Sequence, residues 1–265
     1  MPDIANIGFI GCGKIAEPMV RSLSRQFPNS NIAVSQRSES ISSGLSSELD
    51  NVRSGENQWV LDVSDVIFLC LLAEVAQEEL ARLQFKVEHR VISVMADINL
   101  MDISQLISPA QSPCLTIPVP FIEAGNCPLP VFPQSLELER LFGSENSVMT
   151  LTDEKSMGPH FAATAILSTV MAQLDCVGNW LGSMTGDERG AEVYVLKLVS
   201  GYLNSLVADG NQRFQESMMA LSTEGGLNVQ LLLHNKKSGM LDVLEAGMND
   251  LGSRLSDRIN QERRD

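Results

Sequence analysis

The chain has 265 residues, 44% of them hydrophobic, and a formal net charge of −14 from 19 basic and 33 acidic residues. This length suits one large or two ordinary domains, and the acidic balance makes nucleic acid and anionic membranes poor partners. The five cysteines form no Cys-x-x-Cys pair and histidines number three, so we predict neither a disulfide framework nor a metal site. We expect a reduced, cytoplasmic protein with no membrane span or secretory leader.

The first part of the chain alternates strand-like and helix-like patterns. Strands are predicted at 4–10, 32–35, 66–72, 90–95, 114–117 and 147–151, with a weaker candidate at 60–61. Helices are predicted at 14–26, 76–83 and 100–107. Such alternation indicates an α/β domain built on a doubly wound, parallel sheet of the Rossmann type. The five prolines between 118 and 133 predict that this segment forms neither a helix interior nor a central strand.

After about residue 152 no strand-like alternation returns. Helices are predicted at 160–181, 187–206, 211–222, 228–236 and 239–259. We therefore expect two domains, a nucleotide-binding Rossmann domain at 1–152 and an all-helical domain at 153–265. The long apolar faces of the helical part exceed what a core of this size needs. We predict that a second copy covers them and that the chain is a homodimer.

The turn after the first strand carries the strongest functional signal. Gly11, Gly13 and Ala16 have the Gly-x-Gly-x-x-Ala spacing of a dinucleotide-binding turn, with an apolar strand before it and an amphipathic helix after it. The pyrophosphate of the cofactor would lie at the N-terminus of that helix, where free N–H groups attract an anion. The predicted contacts in this turn are Gly11, Cys12, Gly13, Lys14 and Ile15.

The end of the second strand indicates which cofactor is bound. Sites specific for NAD place an acidic residue there to hold the ribose diol. This chain has Ser35, Gln36 and Arg37 at that point, followed by Ser38, and no acid before Glu39. Hydroxyl and guanidinium groups suit a 2′-phosphate, so NADP(H) is the predicted cofactor.

These motifs together resemble the pyrroline-5-carboxylate reductase family, of which the chain would be a divergent member. The stretches that carry the resemblance are 7–17, 35–37, 65–71 and 91–96. The resemblance implies a Rossmann domain followed by a helical domain that dimerises. It also implies hydride transfer from NADPH to the C=N bond of a small cyclic imino acid, as in proline biosynthesis, with Leu71, Leu72 and Ala96 beside the nicotinamide.

The substrate side departs from the family pattern. A Lys-Pro pair becomes Leu72-Ala73, and Arg-x-Met-Pro-Asn becomes Leu115-Thr-Ile-Pro-Val119. The Gly-Gly turn that holds the substrate carboxylate in the family is kept as Gly225-Gly226. The threonine proposed there as partner or proton donor becomes Asn228, which takes the catalytic position by resemblance.

The residues of that turn support two interpretations. Two glycines before a helix that begins near Asn228 make an anion-accepting N-terminus, for which Asn is a good cap. They can equally serve only to join two helices. Asn228 can hold an oxygen but is a poor proton donor.

The three histidines of the chain are also candidate functional residues. His160 stands where the family has alanine, in Ser156-Met-Gly-Pro-His-Phe161, and is either a general acid or a wall-lining or surface residue. His89 and His234 have polar neighbours and are predicted to be solvated.

Two other functions stay open. The first is a reductase or dehydrogenase of the same fold with a different substrate. The second is an inactive NADP-binding regulator descended from a reductase.

Overall fold

The computed structural model describes residues 6–36, 38–95 and 98–261, with side chains as far as residue 255. The chain folds into two compact units. The first comprises Met1–Ala162 together with Gly252–Asp265, and the second is Ala163–Leu251. The boundary predicted near residue 152 lies just after the last strand and stays a proposal about where two folding domains meet.

The strands of the first unit are β1 (Ile7–Ile10), β2 (Ile32–Ser35), β3 (Val52–Gly55), β4 (Val66–Leu69), β5 (Arg90–Ser93), β6 (Cys114–Thr116), β7 (Pro128–Phe132) and β8 (Ser147–Thr150). Within the described residues they form one eight-stranded sheet in the order β3-β2-β1-β4-β5-β6-β7-β8. Neighbouring strands are parallel except for β6 and β7, which are antiparallel. The predicted doubly wound sheet is therefore confirmed.

Seven helices of the described chain accompany this sheet. They are α1 (Ala16–Gln26), α2 (Glu39–Glu48), α3 (Asn57–Asp62), α4 (Ala73–Leu80), α5 (Leu100–Leu106), α6 (Leu136–Phe142) and α7 (Met157–Ala163). Helices α1, α2 and α6 contribute to the buried cluster that contains Phe9. Helices α3, α4, α5 and α7 contribute to a second cluster that contains Ile10. Consecutive residues of β1 thus point into opposite cores, which is why the parallel strands read as continuous apolar runs.

Aromatic contacts fix the first core. The rings of Phe9 on β1 and Phe68 on β4 stack with centroids 4.8 Å apart. Phe142 of α6 meets Phe68 edge-on at 6.1 Å. These contacts join the inner strands β1 and β4 to one flanking helix. They therefore stabilise β1, at whose carboxyl end the glycine turn begins.

Besides strand β7, four elements differ from the sequence prediction. Val60 and Leu61 lie in α3 and not in a strand, with both side chains buried. The elements β3, α2 and α6 had no predicted counterpart. Helix α2 is built largely from serines, whose hydroxyls bond to carbonyls of the preceding turn, as Ser42 does to Ser38. The helix was not predicted because its sequence is mostly polar and serine has no strong preference for the helical conformation.

The prolines of β7 contradict the prediction that this segment forms no interior strand. Pro128 and Pro130 lie in a strand that is paired on both sides. Strand β6 pairs with Val131 and Phe132, which lie beyond both prolines. On the other side, N–H groups of the β8 segment donate to the carbonyls of Cys127 and Val131. A proline lacks a backbone N–H but keeps its carbonyl group. The pairing of β7 with β6 and with β8 requires no N–H donor at position 128 or 130, so the two prolines are accommodated.

The second unit is helical throughout its described elements. Helices α8 (Ile166–Thr185), α9 (Glu188–Asn204), α10 (Arg213–Leu221) and α11 (Leu227–Lys237) lie within it, and α12 (Met240–Gln261) begins in it. Gly186, in the left-handed conformation with φ 74°, ends α8. The side chain of Asp187 then caps α9 by accepting the N–H of Gly190 at 2.9 Å. Helices α8 and α9 therefore form a hairpin whose turn is specified by two adjacent residues.

Large apolar side chains of this unit are exposed. Trp180, Phe214 and Leu227 have 62%, 82% and 85% of their surfaces accessible. The residues of α8 and α9 that are buried are Gly182, Ala191 and Val195. The predicted surplus of apolar surface is therefore present in the described part of this unit.

One helical stretch of the described chain, Glu154–Thr185, is long and apolar enough to cross a membrane by length and composition alone. Its most apolar window has a mean hydropathy of 1.4 and is 6% buried. The stretch is interrupted between α7 and α8, and α8 carries Asp175 near its middle. A charge at the centre of a membrane span is costly.

Candidate active site

The candidate site lies at the point of the sheet where the order of the strands reverses. Strand β1 has β2 on one side and β4 on the other, so the chain leaves it toward opposite edges. Ligands of doubly wound sheets bind at this switch point, outside the carboxyl ends of the strands. A cavity of about 500 Å³ lies there, lined by Gly11, Cys12, Gly13, Lys14, Ile15, Ala16, Ser38, Cys70, Leu71, Leu72 and Val75.

The two glycines of the turn have different roles. Gly11 has φ +90°, and a Cβ there would lie 2.6 Å from the carbonyl oxygen of Cys70. At Gly13 a Cβ would meet no atom within 4 Å, so the backbone lies bare beside the cavity. A side chain at 13 would fill this space without disturbing the fold. The turn therefore fits the close approach of a pyrophosphate.

The helix after the turn presents its N-terminus to the cavity. Helix α1 begins at Ala16, and Ile15 at its N-cap makes no side-chain bond to the first turn. In that turn the N–H of Glu17 already donates to the carbonyl oxygen of Gly13 at 2.9 Å, and Pro18 has no N–H. The donors left for an anion are therefore the N–H of Ala16 and those of the glycine turn before it. Glu17 in the same turn pairs with Arg21 at 3.1 Å, which offsets its negative charge. Lys14 is the one cationic residue in the described cavity lining.

The cysteines beside the cavity are inert. Burial, with a smaller contribution from Glu17, raises the pKa of Cys12 to about 12. Burial also raises the pKa of Cys70 well above its ordinary value. Both thiols stay protonated near neutrality, so the helix dipole does not activate Cys12. Cys12 serves as a small apolar spacer within the turn.

At the end of β2 the predicted residues lie in different places. Ser35 is fully buried, and its Oγ accepts the N–H of Gly11 at 2.8 Å. Gln36 is exposed. Ser38 lines the cavity at the start of α2, and Arg37 lies outside the described residues. Ser35 thus holds the glycine turn in place, and its direct contact with a cofactor stays a prediction.

The end of β4 supplies the apolar wall of the cavity. A Cβ on Gly11 would lie 3.0 Å from Cδ2 of Leu71, so this side chain lies against the turn. Leu72 is 72% exposed although it is a leucine in the cavity lining. Cys70 and Val75 also line the cavity and were not predicted. Val75 lies in the first turn of α4, directly after the end of β4, and this position in the sequence could have identified it. Ala96 lies outside the described residues.

The Gly-Gly turn belongs to the second unit and is described by itself. Gly225 has φ +72°, a conformation that favours glycine. Gly226 is the N-cap of α11, which begins at Leu227. The expectation that Asn228 caps this helix is wrong, because Asn228 is already inside its first turn and exposed. A glycine cap has no side chain to accept first-turn N–H groups, which leaves them available to an anion.

His89 is buried, which contradicts the prediction that it is solvated. It is 3% exposed, and its Nδ1 accepts the N–H of Lys86 at 3.1 Å. Its ring also meets Phe85 edge-on at 6.0 Å. Burial and the nearby charge of Lys86 lower the pKa of His89 below its ordinary value. This histidine closes the turn before β5 and lies in the core.

No group of three or more His, Cys, Asp or Glu side chains in the described part of the chain is placed to hold a metal ion.

Comparison with known proteins places this geometry in context. Residues 6–97 match the family described as NADP oxidoreductase, coenzyme F420-dependent. A pyrroline-5-carboxylate reductase of Streptococcus pyogenes superposes with a TM-score of 0.82 at 17% identity, over 96% of this chain and 98% of that one. A Plasmodium falciparum pyrroline carboxylate reductase with NADP bound gives 0.82 at 12% identity, over 97% and 98% of the two chains.

The chain has the pyrroline-5-carboxylate reductase fold. The resemblance noted in the sequence is thus confirmed at the level of fold and over nearly the full chain. A reductive aminase of Aspergillus terreus in complex with NADPH4 shares this fold more distantly, with a TM-score of 0.58 at 16% identity over 96% of this chain and 98% of that one. No curated protein sequence matches the chain.

Proposed function

We propose that this protein is an NADPH-dependent reductase of the pyrroline-5-carboxylate reductase type. Its substrate would be a small cyclic imino acid, reduced at the C=N bond. The observation that carries the proposal is the open glycine turn at the switch point, in a chain that spans the whole fold of these reductases. When bound, NADPH supplies the hydride.

The residues at the cavity support NADP(H) over NAD(H). No acidic side chain is among the residues described at the end of β2 or in the cavity lining. Ser38 and the first turn of α2 provide a hydroxyl and N–H groups for a 2′-phosphate. Arg37, assigned from the sequence, would add the charge-assisted contact. Lys14 and the N-terminus of α1 would hold the pyrophosphate.

The remaining assignments concern the nicotinamide and the substrate. Leu71, Leu72 and Ala96 would line the nicotinamide. Gly225, Gly226 and the N–H groups at the start of α11 would hold the substrate carboxylate, and Asn228 would hold an oxygen of the same group. Each assignment rests on the resemblance and on the local geometry of its own unit.

A second candidate keeps the fold and the cofactor and changes the substrate to a more apolar imine. It is favoured by Leu72, which is exposed in the cavity lining, and by the apolar residues Leu115 and Val119 in place of polar family residues. Neighbours of this kind exist in the fold, since imine reductases share it. The larger structural similarity to pyrroline-5-carboxylate reductases ranks this candidate second.

We also propose that the protein is a cytoplasmic homodimer formed through its helical domain. The exposed apolar faces of the second unit extend over α8 to α11, beyond the single stretch that could span a membrane. A second copy covers such a surface on several helices, whereas a lipid span accounts for one helix with an acidic residue at its centre.

Binding of the two cofactors tests the specificity. We expect NADPH to bind at least about tenfold more tightly than NADH by calorimetric titration, a difference of about 1.4 kcal/mol. Arg37→Ala should remove most of this preference and leave NADH binding unchanged, because only the 2′-phosphate contact is lost. Equal affinities in the wild-type protein, or equal losses for both cofactors, would contradict the assignment.

A further inference from the structure

The site proposed above lacks an evident proton donor. Reduction of an imine adds a hydride to carbon and a proton to nitrogen. Asn228 is a poor proton donor. Cys12 is buried and Cys70 partly buried, and the pKa values of both thiols are raised. Lys14 is assigned to the pyrophosphate. A donor therefore has to come from another residue or from water.

His160 is held in a defined orientation on α7. Its Nδ1 lies 2.7 Å from the carbonyl oxygen of Ser156. A carbonyl only accepts, so Nδ1 must carry a hydrogen, and the second nitrogen, Nε2, is the one that exchanges protons. Ser156 is itself fixed, because its N–H and Oγ–H both donate to Asp153 Oδ1 at 2.8 and 2.9 Å. The imidazole is thus half-buried and anchored through its non-exchanging nitrogen.

Two contacts place the start of α7 at the carboxyl edge of the sheet. Met157 is buried in the cluster that includes Leu71 after β4 and Met95 after β5. Glu154, just before α7, accepts the N–H of Leu100 at 2.7 Å, and Leu100 begins the helix that follows β5. Ligands of this fold bind at that edge. His160 lies one helical turn beyond Met157.

From this placement we propose that His160 is the proton donor of the imine reduction, an inference that rests on the proposed function. The imidazolium Nε2–H bond breaks as an N–H bond forms at the imine nitrogen, while the imine carbon receives the hydride. The histidine is left neutral with its hydrogen on Nδ1, where Ser156 already accepts it. A proton from the bulk solvent, delivered as hydronium, then restores the Nε2–H bond. Each turnover therefore consumes one NADPH, one imine and one solvent proton.

Two variants separate proton donation from structure. His160→Ala installs the residue found at this position in the family, so it should fold. His160→Asn keeps an N–H that can reach the Ser156 carbonyl but cannot transfer a proton at neutral pH. Both should lower the single-turnover rate with NADPH and pyrroline-5-carboxylate by about a hundredfold or more, with NADPH affinity unchanged. His234→Ala, an exposed histidine of α11, is the matched control and should keep the wild-type rate.

Two further measurements distinguish a donor from a structural residue. Added imidazole should restore much of the rate of His160→Ala and leave the rate of His234→Ala unchanged. In the wild-type protein, NADP⁺ with L-proline should protect His160 from carbethoxylation by diethylpyrocarbonate, read by peptide mass spectrometry, and leave His234 reactive.

Wild-type rates in both His160 variants would overturn the proposal, as would a loss of rate with neither imidazole rescue nor protection. Absence of turnover in the wild-type protein is a different result. It would refute the proposed substrate, and L-proline would then not be a ligand. In that case failure of NADP⁺ alone to protect His160 would refute the placement of the histidine beside the cofactor.

Discussion

Gly11 and Gly13 stand two residues apart in one turn, and the structure gives each a different reason to be glycine. Gly11 adopts a positive φ, and the backbone of Cys70 leaves no room for a Cβ at this position, so its requirement lies in folding. Gly13 has open space in front of it, so its requirement lies in what approaches from the cavity. Sequence alone identifies both glycines through their spacing but does not separate these causes.

The separation predicts opposite phenotypes. Gly11→Ala should lower the free energy of unfolding by about 1–3 kcal/mol because of strain and the backbone clash. Gly13→Val should leave it within about 0.5 kcal/mol and weaken NADPH binding. Chemical denaturation and calorimetric titration of the two proteins measure both quantities. If Gly13→Val bound NADPH as tightly as the wild type, the proposal that the pyrophosphate lies against this turn would be refuted.

His89 predicts how stability depends on pH. Its pKa is lowered in the folded protein, so the unfolded chain binds this proton more readily. The stabilising contribution is complete above the unfolded pKa of about 6.5 and is lost as the pH falls through the folded pKa. The loss is at most about 1.4 kcal/mol per pH unit.

The matched protein is His89→Gln, which does not titrate. The difference in unfolding free energy between wild type and His89→Gln should shrink as the pH falls from 7 to 5, measured by urea denaturation. A difference that stays constant or grows would show that His89 is not held neutral in the core.

At the scale of elements, the buried parallel strands could be predicted from the sequence, whereas β3 and β7 could not. Strands β1, β4 and β5 are buried on both faces, so their apolar runs are read directly from the sequence. Strand β7 was not predicted because of its prolines. They are tolerated because of the way β6 and β8 pair with this strand, and that pairing depends on the tertiary structure and cannot be read from the local sequence. Helix α3 was mistaken for a strand because two apolar residues cannot distinguish the two periods.

Short helices at the carboxyl edge depend on their caps. Asn99 accepts the N–H of Asp102 at 2.9 Å at the start of α5. Asn99→Ala should therefore lower the free energy of unfolding by about 1 kcal/mol. Ser104→Ala, on the exposed side of α5, is the matched control and should cost less than about 0.5 kcal/mol. Equal effects in thermal denaturation would contradict the capping role.

The candidate site was predictable to the extent that it is local in sequence. The glycine turn and the end of β4 are continuous segments, and seven of the predicted residues line one cavity in the described chain: Gly11, Cys12, Gly13, Lys14, Ile15, Leu71 and Leu72. Ser35 was named for the cofactor, whereas the structure shows its bond to Gly11. That contact joins residues 24 positions apart, which no local pattern encodes.

At the scale of the whole molecule, the second unit lacks a core that can cover its own helices. Its apolar residues are exposed on several helices, as expected of a domain that completes its core with a partner. Association would bury surface that otherwise favours aggregation. The homodimer proposed above accounts for this exposure.

The proposed dimer can be tested by introducing negative charges on the exposed apolar surface of the second unit. Trp180→Glu with Leu196→Glu should raise the dissociation constant by about a hundredfold or more, because two desolvated carboxylates would oppose association. Val87→Glu, at an exposed valine of the first unit, is the control and should keep the wild-type mass. Light scattering at micromolar concentration measures each. A monomeric wild-type protein would refute the dimer.

The central claim is that this chain reduces a cyclic imine with NADPH. The most direct measurement is oxidation of NADPH by the purified protein in the presence of pyrroline-5-carboxylate, followed by the nicotinamide absorbance, with NADH in a parallel reaction. We predict turnover with NADPH, slower turnover with NADH, and formation of proline in equal amount to the NADPH consumed. Tight NADPH binding with no turnover of pyrroline-5-carboxylate would contradict the claim.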